Sequence, residues 1–156
     1  MQTFLPYEDF YETARVLDDK RLGKQRVETK QILNVLYTGS QGAWSSHPAT
    51  RMWAGHEGVL LQYQVAVCFE WIRRGFKHTL VLDDALIEKF ENRITKPFWL
   101  GHPLVHESHR QTLKYKDPVA YADFKEQPKY EYVWPVNKDY TRNPLLLNSC
   151  NSQLIQ

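Results

Sequence analysis

Six cations and three carboxylates crowd the stretch from Arg15 to Lys30. Arg15, Lys20, Arg21, Lys24, Arg26 and Lys30 surround Asp18, Asp19 and Glu28, within and just before the run LDDKRLGKQRVETKQIL at Leu17–Leu33. Leu22, Thr29, Leu33 and Leu36 recur at helical spacing, so one face of this segment is expected to be buried and the charged face not. A solvated helix normally interleaves opposite charges four residues apart. Here the pairs at that spacing are Lys20–Lys24 and Arg26–Lys30, which repel, and only Lys24–Glu28 attracts. Each repulsion costs about 0.2–0.5 kcal/mol. An anion from outside the chain would account for the tolerance, and an ordinary solvated face is the alternative.

Other chemistry-bearing residues are more scattered. His102, His106 and His109 with Glu107 suggest metal spacing, but no Cys, Asp or further His completes a standard ligand set, so no metal is expected. His47 precedes Pro48 at a helix start, a natural place for phosphate. His56 shares a face with Met52 and Val59 and reads as half-buried. Arg73 and Arg74 end a helix, where they suit the macrodipole as well as they would suit a nucleic acid. Trp44, Trp99 and Trp134 fall in loops or extended pieces, where one of them could wedge into a duplex or cover an extruded base. Trp53 and Trp71 are expected in the core, as is Cys68.

Helices must position these groups. After an extended start, a short helix is expected over Asp9–Val16, then the charged helix from Asp18 or Asp19 to Tyr37, then a Gly/Ser loop over Thr38–Ser46. Pro48 opens what reads as the longest helix, through Met52, Trp53, His56, Val59, Leu60, Tyr63, Val67 and Trp71 to Arg74, closed by Gly75. Gly55 and Gly58 weaken its start, at about 1 kcal/mol each. Asp83 or Asp84 caps a helix to Glu91, Pro103 opens one over Leu104–Lys116, and Asp117-Pro118 starts a last one to about Lys125. KYEYVWP at Lys129–Pro135 reads as extended. The expectation is all-α: a compact single-domain helical fold over residues 1–135, with one long central helix and a charged helix facing outward, and a C-terminal extension over 136–156 carrying Leu145–Leu147.

Composition narrows the class. The chain has 156 residues, 42% hydrophobic, with 5 Trp, 9 Tyr and 7 Phe, which excludes a disordered chain and supplies many groups able to fill a core or stack on bases. A net charge of only +2 means that any nucleic-acid surface is a local patch. Two cysteines, Cys68 and Cys150, make no disulfide framework. The start MQTFLPYEDF lacks the pattern of a signal peptide and no apolar run is long enough for a membrane span, so a cytoplasmic protein is expected.

The order of motifs resembles the pyrimidine-dimer DNA glycosylase family (endonuclease V-like), and within it a bacterial and phage branch. The resemblance rests on MQTFLPY, LDDKRLGKQRVE, HP at His47-Pro48, MWAGH at Met52–His56, EWIRRGF at Glu70–Phe76, PFWLGHP, VHESHR at Val105–Arg110, KDP and YEYVWP, which together span about residues 1 to 135. It implies an all-helical DNA glycosylase with AP-lyase activity. A free N-terminal amine would attack C1′ of the damaged nucleotide, a carboxylate on the charged helix would assist, arginines would hold phosphates, and β-elimination through a Schiff base would cut the strand. No cofactor is needed. An α-amine ordinarily titrates near about 8, so part of it is neutral at pH 7, and a nearby carboxylate stabilises the cationic sugar and shuttles protons.

Two positions depart from the pattern of the family's best-known member, a phage repair enzyme. Gln2 is too bulky for removal of the initiator methionine, so the reactive amine would be that of Met1. Alignment on Arg26-Val27 puts Gly23 where the family has its glutamate, leaving Asp19 or Glu28, the latter roughly 140° further round the helix, to supply the carboxylate. Lys24, with its pKa expected to be lowered by Arg21, Lys20 and Arg26, could supply the amine or hold a phosphate. The expected catalytic set is therefore Met1, Asp19, Lys24 and Glu28. The expected DNA contacts are Arg15, Lys20, Arg21, Arg26, Lys30, Trp44, His47, Arg73, Arg74, His106, His109 and Arg110, the histidines either touching phosphate or orienting the carboxylate. The expected partner is double-stranded DNA with a damaged or modified base, bound by a monomer, with no membrane involved. The rival readings are a non-catalytic nucleic-acid-binding protein on the same fold, which Gln2 and Gly23 favour, and a metal-dependent hydrolase built on His102–His109.

Overall fold

A computed structural model describes residues 1–124 and 132–135. Among them six helices and no strand make up the regular structure: α1 (Phe10–Val16), α2 (Asp19–Thr38), α3 (Pro48–Arg51), α4 (Glu57–Arg73), α5 (Asp84–Phe90) and α6 (Pro103–Lys116). The all-α expectation holds. No described helix is long and apolar enough to cross a membrane. The chain divides into two compact units, one of Met1–Phe4 with Asp9–Pro97 and one of Leu5–Glu8 with Phe98–Gln156. The expected extension, residues 136–156 with Leu145–Leu147, lies outside the described residues.

Capping residues start the helices of the first unit where the sequence places them. Asp9, Asp18 and Asp83 each turn a side-chain oxygen onto a backbone N–H of the first turn, satisfying a donor that has no partner within the helix. Gly39, at φ 64°, ends α2, and Gly75, at φ 87°, follows α4 as expected. Helix α2 packs mainly against α4, and α1 also lies on α4. Leu22, Ile32, Leu33, Trp53, Leu60, Tyr63 and Val67 are all fully buried between them, each large apolar side chain contributing about 1.5–3 kcal/mol relative to exposure.

The single helix expected from Pro48 to Arg74 is two. Met52 to Gly55 form turns, and Gly55 stands at φ 85°, a conformation that a helix does not contain and that other residues adopt at a cost. Helix α2, with 20 residues, is therefore the longest described. The apolar periodicity continues across the break because both pieces turn apolar residues inward. Gly58, in the first turn of α4, has a different role. A Cβ there would lie 2.6 Å from the Phe90 carbonyl oxygen and 2.7 Å from that of Arg93, and its N–H donates to Arg93 O at 3.0 Å.

In the second unit His102 caps α6 by accepting the Leu104 N–H at 3.2 Å, with Pro103 next to it. The buried face of α6 carries two histidines that hold one residue. His109 Nδ1 accepts the Leu5 N–H at 2.9 Å, and His106 Nδ1 lies 2.8 Å from Leu5 O. Because His106 Nε2 accepts the Gly101 N–H at 2.9 Å, its proton sits on Nδ1 and the ring is neutral. Burial lowers the pKa of both rings, that of His109 to about 3. The helix expected after Asp117 is a run of turns over 118–123. Asp117 caps one turn, accepting the Ala120 N–H at 2.9 Å, and so short a segment beside Pro118 gains too few bonds to offset helix nucleation. Of KYEYVWP, residues 132–134 are irregular, and Val133 N–H donates to Ser108 Oγ at 3.0 Å; residues 129–131 lie outside the described residues.

Two stability measurements check these points. Gly58→Ala would ordinarily favour a helix, but the clash with backbone oxygens should reverse the sign and cost about 1–3 kcal/mol in urea unfolding. For His109 the unfolded ring binds a proton near its ordinary 6.5 and the folded ring only near about 3, so stability is full above pH 6.5 and falls as pH drops toward 3. The loss between pH 7 and 4.5 should be shallower in His109→Gln than in the wild type, and parallel profiles would count against this assignment.

Candidate active site

The chain start lies along α2 because one buried side chain holds it there. Gln25, fully buried, accepts the Phe4 N–H on Oε1 at 2.8 Å and donates from Nε2 to Gln2 O at 3.0 Å. Tyr63 Oη lies 2.7 Å from both Gln25 Oε1 and Phe4 O, one hydroxyl proton serving the two acceptors, and Trp53 Nε1 donates to Thr3 Oγ1 at 2.9 Å. Burial, reinforced by the Glu28 charge, holds the Tyr63 pKa well above 10, so the hydroxyl keeps its proton. Residues 2–4 are thus tied to α2, α4 and the turn after α3.

That attachment brings a carboxylate to the terminus. Glu28, one turn beyond Gln25, accepts the Gln2 N–H on Oε2 at 3.2 Å, and the same oxygen lies 3.4 Å from Gln25 Nε2. Met1 is half-buried, with Sδ 3.8 Å from Thr50 Oγ1 of α3. His47 caps α3, its Nδ1 accepting the Ala49 N–H at 3.1 Å, so its ring proton is on Nε2. Its pKa is lowered by burial first and then by the positive terminal amine, against the pull of Glu28. The imidazole therefore lies within electrostatic range of both the amine and the carboxylate. Exposed Trp44 sits beside them, its ring centroid 5.8 Å from that of His47.

Asp19, the other candidate carboxylate, is engaged elsewhere: it pairs with Arg74 at 2.8 Å on an exposed corner. Lys24 and Lys20 line a shallow groove of about 480 Å³ with Asp19, Gly23, Val27, Glu28, Gln31 and Trp71. Gly23 lets the Trp71 ring come close, since a Cβ there would lie 3.1 Å from it and require the ring to give by a few tenths of an ångström. Trp71, expected in the core, is only half-buried and carries the Arg26 guanidinium on its face, 4.1 Å from the ring centroid.

The remaining expected contacts divide by what occupies them. Arg15 is exposed and Lys30 half-buried. Arg21 pairs with Asp18 at 3.0 Å and Arg73 with Glu70 at 2.7 Å. Arg74 does not face outward as a DNA contact would. It donates to Glu70 and Asp19 and to the carbonyls of Ala14, Arg15 and Leu17, so all its nitrogens are engaged in closing the end of α1. In the second unit Arg110 donates to Pro6 O at 2.7 Å. His106 and His109 are buried on the Leu5 backbone, which removes them as phosphate contacts, and Trp99 and Trp134 are buried too, leaving Trp44 as the exposed member of the three tryptophans singled out. With His102 capping α6, the three histidines hold backbone groups, and no described group of side chains could hold a metal.

Sequence reasoning passed over Gln25 and Thr50 and assigned Trp71 to the core. For Gln25 a signal existed: with Leu22, Thr29 and Ile32 it falls on the buried stripe of α2, where an amide must find hydrogen-bond partners.

Comparison with known proteins adds one finding. Residues 1–84, more than half of the 156, match the family model described as pyrimidine dimer DNA glycosylase. Nothing matches among curated proteins or among solved structures. The matched residues include Met1, Gln25, Glu28, His47 and the whole cationic helix. The chain belongs to the pyrimidine dimer DNA glycosylase family.

Proposed function

We propose that the protein is a DNA glycosylase with AP-lyase activity, that it removes a damaged or modified pyrimidine from duplex DNA, and that the Met1 α-amine is its nucleophile with Glu28 as the assisting carboxylate. The observation that carries this reading is the 3.2 Å hydrogen bond from the Gln2 N–H to Glu28 Oε2. It sets a carboxylate beside the chain terminus without any side chain of residue 2 taking part.

In this scheme the neutral amine attacks C1′, the bond from C1′ to the base breaks, and the base leaves with the electron pair. Opening of the sugar gives an iminium between Met1 N and C1′. Loss of a proton from C2′ then expels the 3′ phosphate. Glu28 stabilises the cationic sugar and carries the C2′ proton. Lys20, Lys24 and Arg26 hold the backbone on either side, a role that needs charge and not a particular base sequence. Extrusion is easiest for a damaged pair, which supplies selectivity. Lys24 is the less favoured amine because no described contact fixes it, whereas Gln25 fixes the terminus.

Untagged protein incubated with abasic and UV-irradiated duplexes under borohydride should form a covalent adduct that maps to Met1. Glu28→Gln should bind abasic duplex as before and form the adduct about 10²–10⁴-fold more slowly. An adduct on Lys24 would move the nucleophile. No adduct with binding intact would make the protein a binding module or a glycosylase acting without an amine.

A further inference from the structure

We propose that Trp71 is a positioning residue that holds Arg26 for a backbone phosphate of the DNA, an inference that rests on the DNA-acting reading above. Arg26 is fixed on several sides. Its guanidinium lies over Trp71 at 4.1 Å, and the opposite face of Trp71 stacks on Phe76, with centroids 4.2 Å apart and planes at 27°. Trp71 Nε1 donates to Lys77 O at 3.0 Å, which fixes the ring against the turn that follows α4. Arg26 Nη1 lies 3.2 Å from His78 Nδ1, and since a guanidinium only donates, that nitrogen accepts. Gly23 lets the Trp71 edge approach α2 one turn before Arg26, where a Cβ would lie 3.1 Å from the ring and shift it by a few tenths of an ångström.

A cation so restrained would ordinarily have a carboxylate. Arg21, Arg73, Arg74 and Arg93 each have one within ion-pair distance. Arg26 has none among the described residues, and its buried Nε carries no hydrogen bond. Its neighbour one turn further along the helix surface, Lys30, adds like charge. The aromatic mount orients the guanidinium and contributes favourable quadrupole attraction while leaving the charge un-neutralised, which is the arrangement a phosphate oxygen requires. A salt-bridged arginine would first have to give up its partner.

A double-mutant cycle tests this, read as the Kd for a duplex containing a tetrahydrofuran abasic analogue across a range of KCl concentrations. Arg26→Ala should weaken binding and lower the salt slope by about 0.9. Trp71→Leu should weaken binding about two- to fivefold, and Trp71→Phe should recover most of that loss. Adding Trp71→Leu to Arg26→Ala should weaken binding no further. Gly23→Ala, which deletes nothing, should weaken binding without lowering the melting temperature. Additive losses, wild-type affinity in Trp71→Leu, or an unchanged slope in Arg26→Ala would each overturn the proposal. A wild-type chain that traps nothing under borohydride while the cycle stays non-additive would uphold it and sink only the lyase reading.

Discussion

The site depends on one primary amide buried in a charged helix. Gln25 sits where the apolar stripe of α2 would call for leucine, and an unpaired amide there would cost about 1–3 kcal/mol per group left unsatisfied. Its two ends are instead matched to an alternating donor and acceptor on the backbone of residues 2–4. That match fixes direction as well as distance. A segment running the other way would offer its groups in the wrong order, so a single side chain sets both the path and the polarity of the chain start. The Glu28 contact then follows from helix geometry, because residues three apart share a face.

The arginines show how little residue type alone decides. Arg74 and Arg26 both lie on helices of the first unit, yet Arg74 is saturated by two carboxylates and three carbonyls, whereas Arg26 rests on an indole and an imidazole. The first arrangement neutralises the charge and stabilises the junction of α1 with α4. The second restrains the side chain and leaves its field intact. Local compensation of charge separates a structural cation from one available to a ligand.

Much of the fold was legible in the sequence because its signals are local. The starts near Asp9, Asp18, Asp83 and Pro103 and the stop at Gly75 depend on residues within one turn of each other. The break at Gly55 was not legible, since the inward apolar spacing is the same for one helix as for two that bury the same side. At the site, Glu28 was among the alternatives, but the choice between it and Asp19 turns on contacts 26 and 55 residues away, Gln2 to one and Arg74 to the other. His106 and His109 read as exposed chemistry because nothing nearby in sequence announces that Leu5, more than a hundred positions earlier, needs both of its backbone groups satisfied. Trp71 was misplaced for a related reason: a stripe position near a helix end reaches past the core.

Clamping residues 2–4 by their backbone also turns α2 into a ruler for the chain start. An extended residue spans about 3.3 Å and alternates sides, so adding or removing one residue ahead of the clamp would displace the terminal nitrogen by that length and point it the other way. The clamp grips main-chain atoms, and the buried Gln2 side chain adds a bond of its own, its Oε1 accepting the Thr3 N–H at 2.8 Å. The clamp thereby sets the register of the chain start against Glu28 as well as its path.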